Sequence, residues 1–151
     1  SLDLVASYNN LGLLYTAKEN FDEALNWHKK ALNIELQVLD SLSPLLVSSY
    51  GNIGGVYLYK GSWDEALKWF YKSLKIQEQV FDSLSPGLAK LYNGIGNVYA
   101  YKGNYKEAFK NINKALEISN DERLVRKFNS RKLCFRPFAL THRPHLPCYF
   151  C

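Results

Sequence analysis

The chain has 151 residues, 47% hydrophobic and 22% charged, with a formal net charge of +5. That length suffices for one domain with a core or a short repeat array, and the balance excludes a disordered chain. No apolar run approaches the ~20 residues that span a bilayer, and the opening "SLDLVASYNN" lacks the basic flank and apolar core of a signal peptide.

The charge is unevenly placed. Residues 1–118 carry equal numbers of acidic and basic side chains, so the whole excess lies in residues 119–151. All three cysteines (Cys134, Cys148, Cys151) and three of the five prolines lie there too. This composition break predicts a boundary near residue 119. With no Met and Ser at position 1, the chain reads as a fragment or a processed product.

In chain order, the first predicted element is a helix over roughly Leu4 to Ala17. Tyr8, Leu11, Gly12 and Tyr15 share one face of it at helical spacing. A turn "KEN" follows, then a second helix from about Phe21 to Leu39, with Ala24, Leu25, Ala31, Leu32 and Leu39 inward. The motif "DSLSP" closes this unit at Asp40 to Pro44 and returns at Asp82 to Pro86, 42 residues later.

The same offset aligns Tyr8, Tyr50 and Tyr92, then Gly12, Gly54 and Gly96, then Tyr15, Tyr57 and Tyr99. It also aligns Ala24, Ala66 and Ala108, each preceded by Glu. A fixed period in this range signals stacked supersecondary units. Three helix pairs are therefore expected, over about 5–46, 47–88 and 89–119.

Within each unit the first helix should end at the turn, where Gly61 and Gly103 suit a left-handed residue. Asn20, Ser62 and Asn104 should cap the second helix, with Glu23, Glu65 and Glu107 three residues on, as a capping box requires. In "DSLSP", Asp40 and Asp82 end one helix, Ser43 and Ser85 cap the next, and Pro44 and Pro86 fit its first turn. The motif reads as the hinge between units.

The segments "YNNLGLLYTAKENFDEALNWHKKAL", "YGNIGGVYLYKGSWDEALKWFYKSL" and "YNGIGNVYAYKGNYKEAFKNINKAL" resemble tetratricopeptide repeats. The usual aromatic position after the repeated Ala holds His28, Phe70 and Ile112, so only the second unit matches there. The 42-residue period departs from the common ~34. A longer second helix and the Ser-Pro hinge account for the excess, and that variant is similar to the repeats of kinesin light chain. The resemblance covers about residues 3–119. It implies an all-α, right-handed α-solenoid of three helix pairs, followed by a C-terminal basic tail.

In such a solenoid the first helices of the pairs line the concave face. With Tyr8, Leu11, Gly12 and Tyr15 buried, that face should hold Ala6, Asn9, Leu13, Thr16 and Ala17. Its equivalents are Ser48, Gly51, Gly55, Leu58 and Tyr59, then Lys90, Asn93, Asn97, Ala100 and Tyr101, with Asn10 and Asn52 flanking. Amide side chains both donate and accept hydrogen bonds, and tyrosines add flat apolar walls. Asn9, Asn10, Asn52, Tyr59, Lys90, Asn93, Asn97 and Tyr101 are therefore the candidate groove for an extended peptide read partly through its main chain. The alternative is that these asparagines only solvate the face.

The resemblance suggests two narrower ligands. A carboxylate clamp needs several charge-assisted donors. Asn52 and Lys90 sit at clamp-like places, but Asn9 and Gly94 stand where further cations would be needed. Kinesin-light-chain arrays bind peptides with Trp among acidic residues, for which Lys90 alone is slender support.

Catalysis has no footing in the repeats: there is no phosphate loop after a strand and no H-E-x-x-H. "GNIGG" at Gly51 to Gly55 lies inside a predicted helix, and His28 reads as a packed residue. The expected partner is a protein or peptide, with no small-molecule substrate and no cofactor, in a reducing cytoplasm since the repeats hold no cysteine. The array itself could belong to a longer one.

Residues 120–151 break the pattern. Pro137 would fall inside a fourth first helix, and no repeat motif is present. One reading has 121–133 form a capping helix, with Leu124, Val125 and Phe128 over the last repeat. Others are a metal site from His142, His145, Cys148 and Cys151, or a nucleic-acid or acidic-surface module using Arg123, Arg126, Lys127, Arg131, Lys132 and Arg136.

Overall fold

The computed structural model describes residues 2–80 and 85–120. The readings placed on 121–151, and on Asp82, Ser83 and Leu84 of the second hinge, lie outside the described residues. Six helices follow one another: α1 (Leu2–Ala17), α2 (Phe21–Val38), α3 (Pro44–Lys60), α4 (Trp63–Val80), α5 (Pro86–Tyr101) and α6 (Tyr105–Asn120). No strand occurs among the described residues. Each odd helix packs on the even helix after it, and each even helix on the next odd one, which makes a right-handed α-solenoid.

The helices end by a shared device. In the first unit the N–H of Glu19 donates to the Thr16 carbonyl and that of Asn20 to the Tyr15 carbonyl. The same two bonds join Gly61 to Leu58 and Ser62 to Tyr57, then Gly103 to Ala100 and Asn104 to Tyr99. This is the paired closure of a helix on a left-handed residue. Gly61 and Gly103 sit at φ 79° and 76°, but Glu19 holds φ 58° with a full side chain. The first unit thus closes at a backbone cost the other two avoid.

Capping follows the sequence in part. Asn20 Oδ1 accepts from the Glu23 N–H at 3.4 Å, and Asn104 Oδ1 from the Glu107 N–H at 3.3 Å. The reciprocal half of the box has no donor to take, because the Asn20 and Asn104 N–H groups already serve the preceding helix end. Glu65 and Glu107 instead face Lys68 and Lys110 one turn on.

The hinge also differs from expectation. Ser43 and Ser85 occupy N-cap positions with extended backbone, and Pro44 and Pro86 open their helices, but neither serine makes a side-chain cap bond. Ser85 Oγ accepts from Gln77 Nε2 at 2.6 Å, which ties α5 back to α4. Asp40 does more than end α2: its Oδ1 accepts from the Leu42 N–H at 3.1 Å and builds the turn.

Two core clusters lie between successive pairs. Ala24, Leu25 and Leu32 of α2 meet Leu46, Ile53 and Val56 of α3, with Tyr15, Tyr50, Tyr57 and Trp69 alongside. Phe70 and Leu74 of α4 meet Leu88, Leu91, Ile95 and Val98 of α5, with Ala115 and Ile118 of α6.

The repeated glycines set the distance within a pair. A Cβ on Gly12 would lie 2.5 Å from His28 Nε2, one on Gly54 2.8 Å from the Phe70 ring, and one on Gly96 2.7 Å from Ile112. Each odd helix therefore presses its backbone against the residue at one register position of its partner. Lys60–Asp22 and Lys102–Asp64 ion pairs join successive units at the surface.

Candidate peptide-binding groove

The odd helices stand side by side, and α1, α3 and α5 border a cleft of about 360 Å³. Small residues make the space. Gly51 and Gly55 of α3 and Gly87 and Gly94 of α5 line it, and nothing lies within 4 Å of where a Gly55 Cβ would be. Leu13, Val47, Val56, Leu58, Phe70 and Leu91 supply apolar surface, so the interior favours an apolar side chain. Thr16, Ser48, Asn52, Asn93 and Lys90 add polar groups. The Thr16 hydroxyl donates to the Gly12 carbonyl at 2.8 Å.

The structure brings Asn52, Tyr59, Lys90 and Asn93 together around this cleft. Asn52 and Asn93 are half-buried, while Lys90 and Tyr59 are exposed. Burial, and then the neighbouring Tyr101, push the Tyr59 phenol up from its ordinary range. Lys90 is the cation among the described lining residues, because His28 is held neutral.

The other four predicted residues are placed differently. Asn9 Oδ1 lies 2.9 Å from His28 Nδ1, so its amide is committed inside the first helix pair. Asn97 is buried at 6% exposure. Asn10 is exposed but outside the cleft lining. Tyr101 stacks on Trp63, with centroids 6.4 Å apart and planes 10° apart, next to the cleft rather than in it.

Sequence reasoning missed the cleft's inner surface. His28 and Phe70 reach it from the even helices. Val47, Gly87 and Leu91 of α3 and α5 line it although they are not among the expected groove residues, as does Gly94, which figures there only as a clamp position. The equivalence of positions 28 and 70 was the available signal for the first two.

His28 is fully buried. Loss of solvation lowers its imidazole from 6.5 to about 4, so it is neutral near pH 7. The Asn9 oxygen is an acceptor, which assigns the ring proton to Nδ1 and leaves Nε2 as a bare buried acceptor against Gly12.

A right-handed stack of helix pairs with an open cleft along one row of helices defines a helical-repeat protein. The tetratricopeptide repeat model matches residues 3–78 and 45–121. The chain belongs to the tetratricopeptide repeat family.

Solved structures share its fold. The TPR-like repeats of a Podosopora anserina protein described as a kinesin light chain superpose with TM-score 0.67 at 21% identity, over 79% of this chain and 56% of that one. BtubC from P. vanneervenii gives TM-score 0.68 at 20% identity, over 94% and 54%. The TPR2AB domain of yeast Sti1, in a complex with pHSP90, gives 0.65 at 18% identity, over 86% and 46%. The chain thus has the fold of kinesin-light-chain-type repeats and spans about half the length of these structures. No curated protein sequence matches the chain closely enough to count as a relative.

Proposed function

We propose that this chain is a binding module rather than an enzyme, and that it holds an extended segment of a protein partner in the cleft between α1, α3 and α5. The observation that carries this is an apolar cleft of about 360 Å³ with two half-buried asparagines and a lysine around it. An apolar partner side chain enters between Leu13, Leu58 and Leu91, where glycines leave room. Asn52 and Asn93 bond the partner's main chain, and Lys90 favours an acidic flank. A multi-cation carboxylate clamp is not supported, since Lys90 is the positive lining residue. The cysteine-free repeats fit a cytoplasmic setting.

The test uses a displayed library of random linear peptides selected on the intact chain, followed by titration of the selected peptide. The double substitution Asn52→Ala with Asn93→Ala should weaken binding about tenfold or more, as loss of two buried-facing hydrogen bonds implies. Unchanged affinity would sink the cleft assignment.

A further inference from the structure

We propose that the segment held in this groove is a proline-rich stretch of a protein partner in the polyproline II conformation, laid across Tyr59 of α3 and Tyr101 of α5. The inference rests on the cleft reading above and names the chemistry of its occupant.

The two tyrosines hold one register position on neighbouring odd helices, where α1 carries Ala17. They are 51% and 49% exposed. Tyr101 lies close enough to add to the burial that raises the Tyr59 phenol. Tyr59 borders the cleft, so the ring surface continues the cleft lining outward. Trp63 stacks on one face of Tyr101 with planes 10° apart and fixes the tilt of that ring. The opposite face is left for a ligand. Flat, pre-positioned rings are the surface that polyproline II segments dock on, because the ligand is already extended and stiff.

The spacing favours this conformation over a strand. α3 and α5 approach each other directly, so equivalent positions lie one helix-to-helix step apart, about 8–10 Å. Polyproline II has three residues per turn and a ~3.1 Å rise, so it repeats its face every ~9.3 Å. The same face of the ligand therefore meets each tyrosine in turn. A β-strand repeats its face every ~6.8 Å and falls out of step.

Hydrogen bonding and charge agree. Polyproline II leaves its carbonyls unpaired, and proline has no N–H to donate, so the receiving surface must donate. Asn52, Asn93 and Lys90 all carry donors, and no carboxylate occurs among the described lining residues. Charge beside the tyrosines is consumed internally. Lys60 and Lys102, next in sequence to them, are paired with Asp22 and Asp64. This rim therefore presents ring faces rather than net charge, which suits an uncharged segment.

Fluorescence anisotropy of the full chain with dye-labelled decaproline tests this. Decaproline should bind about tenfold tighter than a Gly-Ser peptide of equal length, with little change between low and high salt. Tyr59→Ala and Tyr101→Ala should each weaken it about fivefold, and Tyr101→Phe, which keeps the ring, should not. Both tyrosines are exposed, and far-UV circular dichroism confirms that the helices persist. Decaproline that binds no tighter than the Gly-Ser control overturns the proposal, and so does an affinity unchanged in both alanine variants. A library-selected peptide without proline, weakened by the asparagine substitutions but not by Tyr101→Ala, also overturns it and leaves the cleft reading standing. Decaproline binding lost in Tyr101→Ala but kept in the asparagine variant upholds the tyrosine seat and counts against the cleft.

Discussion

The buried imidazole of His28 makes the stability of this array depend on pH in a way that can be worked out in advance. Its folded pKa lies near 4 against 6.5 for the exposed group. Above 6.5 neither state binds the proton, and the His28 contribution is complete. As pH falls from 6.5 through about 4, the unfolded chain takes up a proton that the folded chain refuses, and stability is lost. Below 4 both states are protonated and the loss stops. At about 1.4 kcal/mol per unit, reduced somewhat for solvent penetration, the loss totals about 2–3 kcal/mol. Glu35 works the other way, because burial raises its carboxyl and outweighs the opposing influence of the nearby Ser49 hydroxyl.

The comparison that isolates the histidine is His28→Phe. Phe70 occupies the same register and faces Gly54 as His28 faces Gly12, so the site accepts a phenyl ring. The substitution leaves Asn9 to solvent, which shifts both ends of the pH range alike. Urea unfolding of both proteins at pH 7.5, 5.5 and 4 should show parent minus variant stability falling by about 2–3 kcal/mol. Glu35 cancels in that difference. Parallel pH profiles would refute the assignment of a neutral, desolvated imidazole.

Gly12→Ala should destabilise by about 1–2 kcal/mol, since overpacking against the His28 ring outweighs the gain in helix propensity; thermal melts measure it. Gly55→Ala should do the reverse, stabilising by up to about 1 kcal/mol because its Cβ meets nothing within 4 Å, while it narrows the cleft and weakens peptide binding in a titration. Glu19→Gly should add about 0.5–1 kcal/mol by relieving the left-handed backbone at φ 58°, read from the urea midpoint. Lys60→Ala should cost under about 1 kcal/mol, because Asp22 across from it is largely solvated.

Much of this architecture was legible because its determinants are local and repeated. The start of α2 at Phe21 and the end of α1 at Ala17 follow from "KENF", where the chain must reverse within a few residues. The capping serines of the hinge were misread for a complementary reason. A serine before a proline has the right backbone for a cap, but Gln77 lies eight residues away on another helix and takes the Ser85 hydroxyl. The groove shows the same division. Asn52 and Asn93 lie in the cleft, and Asn9, at the position equivalent to Asn93, does not, because His28 on the facing helix engages it.

By itself the sequence determined the period, the helix pairs, their turns and the family they belong to. Those depend on side chains within a few residues of one another and on their recurrence every 42. Only the tertiary structure decided which asparagines remain available, which glycines leave open space and which press on a ring. Each of those depends on what a neighbouring helix presents at the same height. Gly12 and Gly55 illustrate the physical reason: both are helical glycines on α1 and α3, yet one abuts an imidazole and the other faces the cleft.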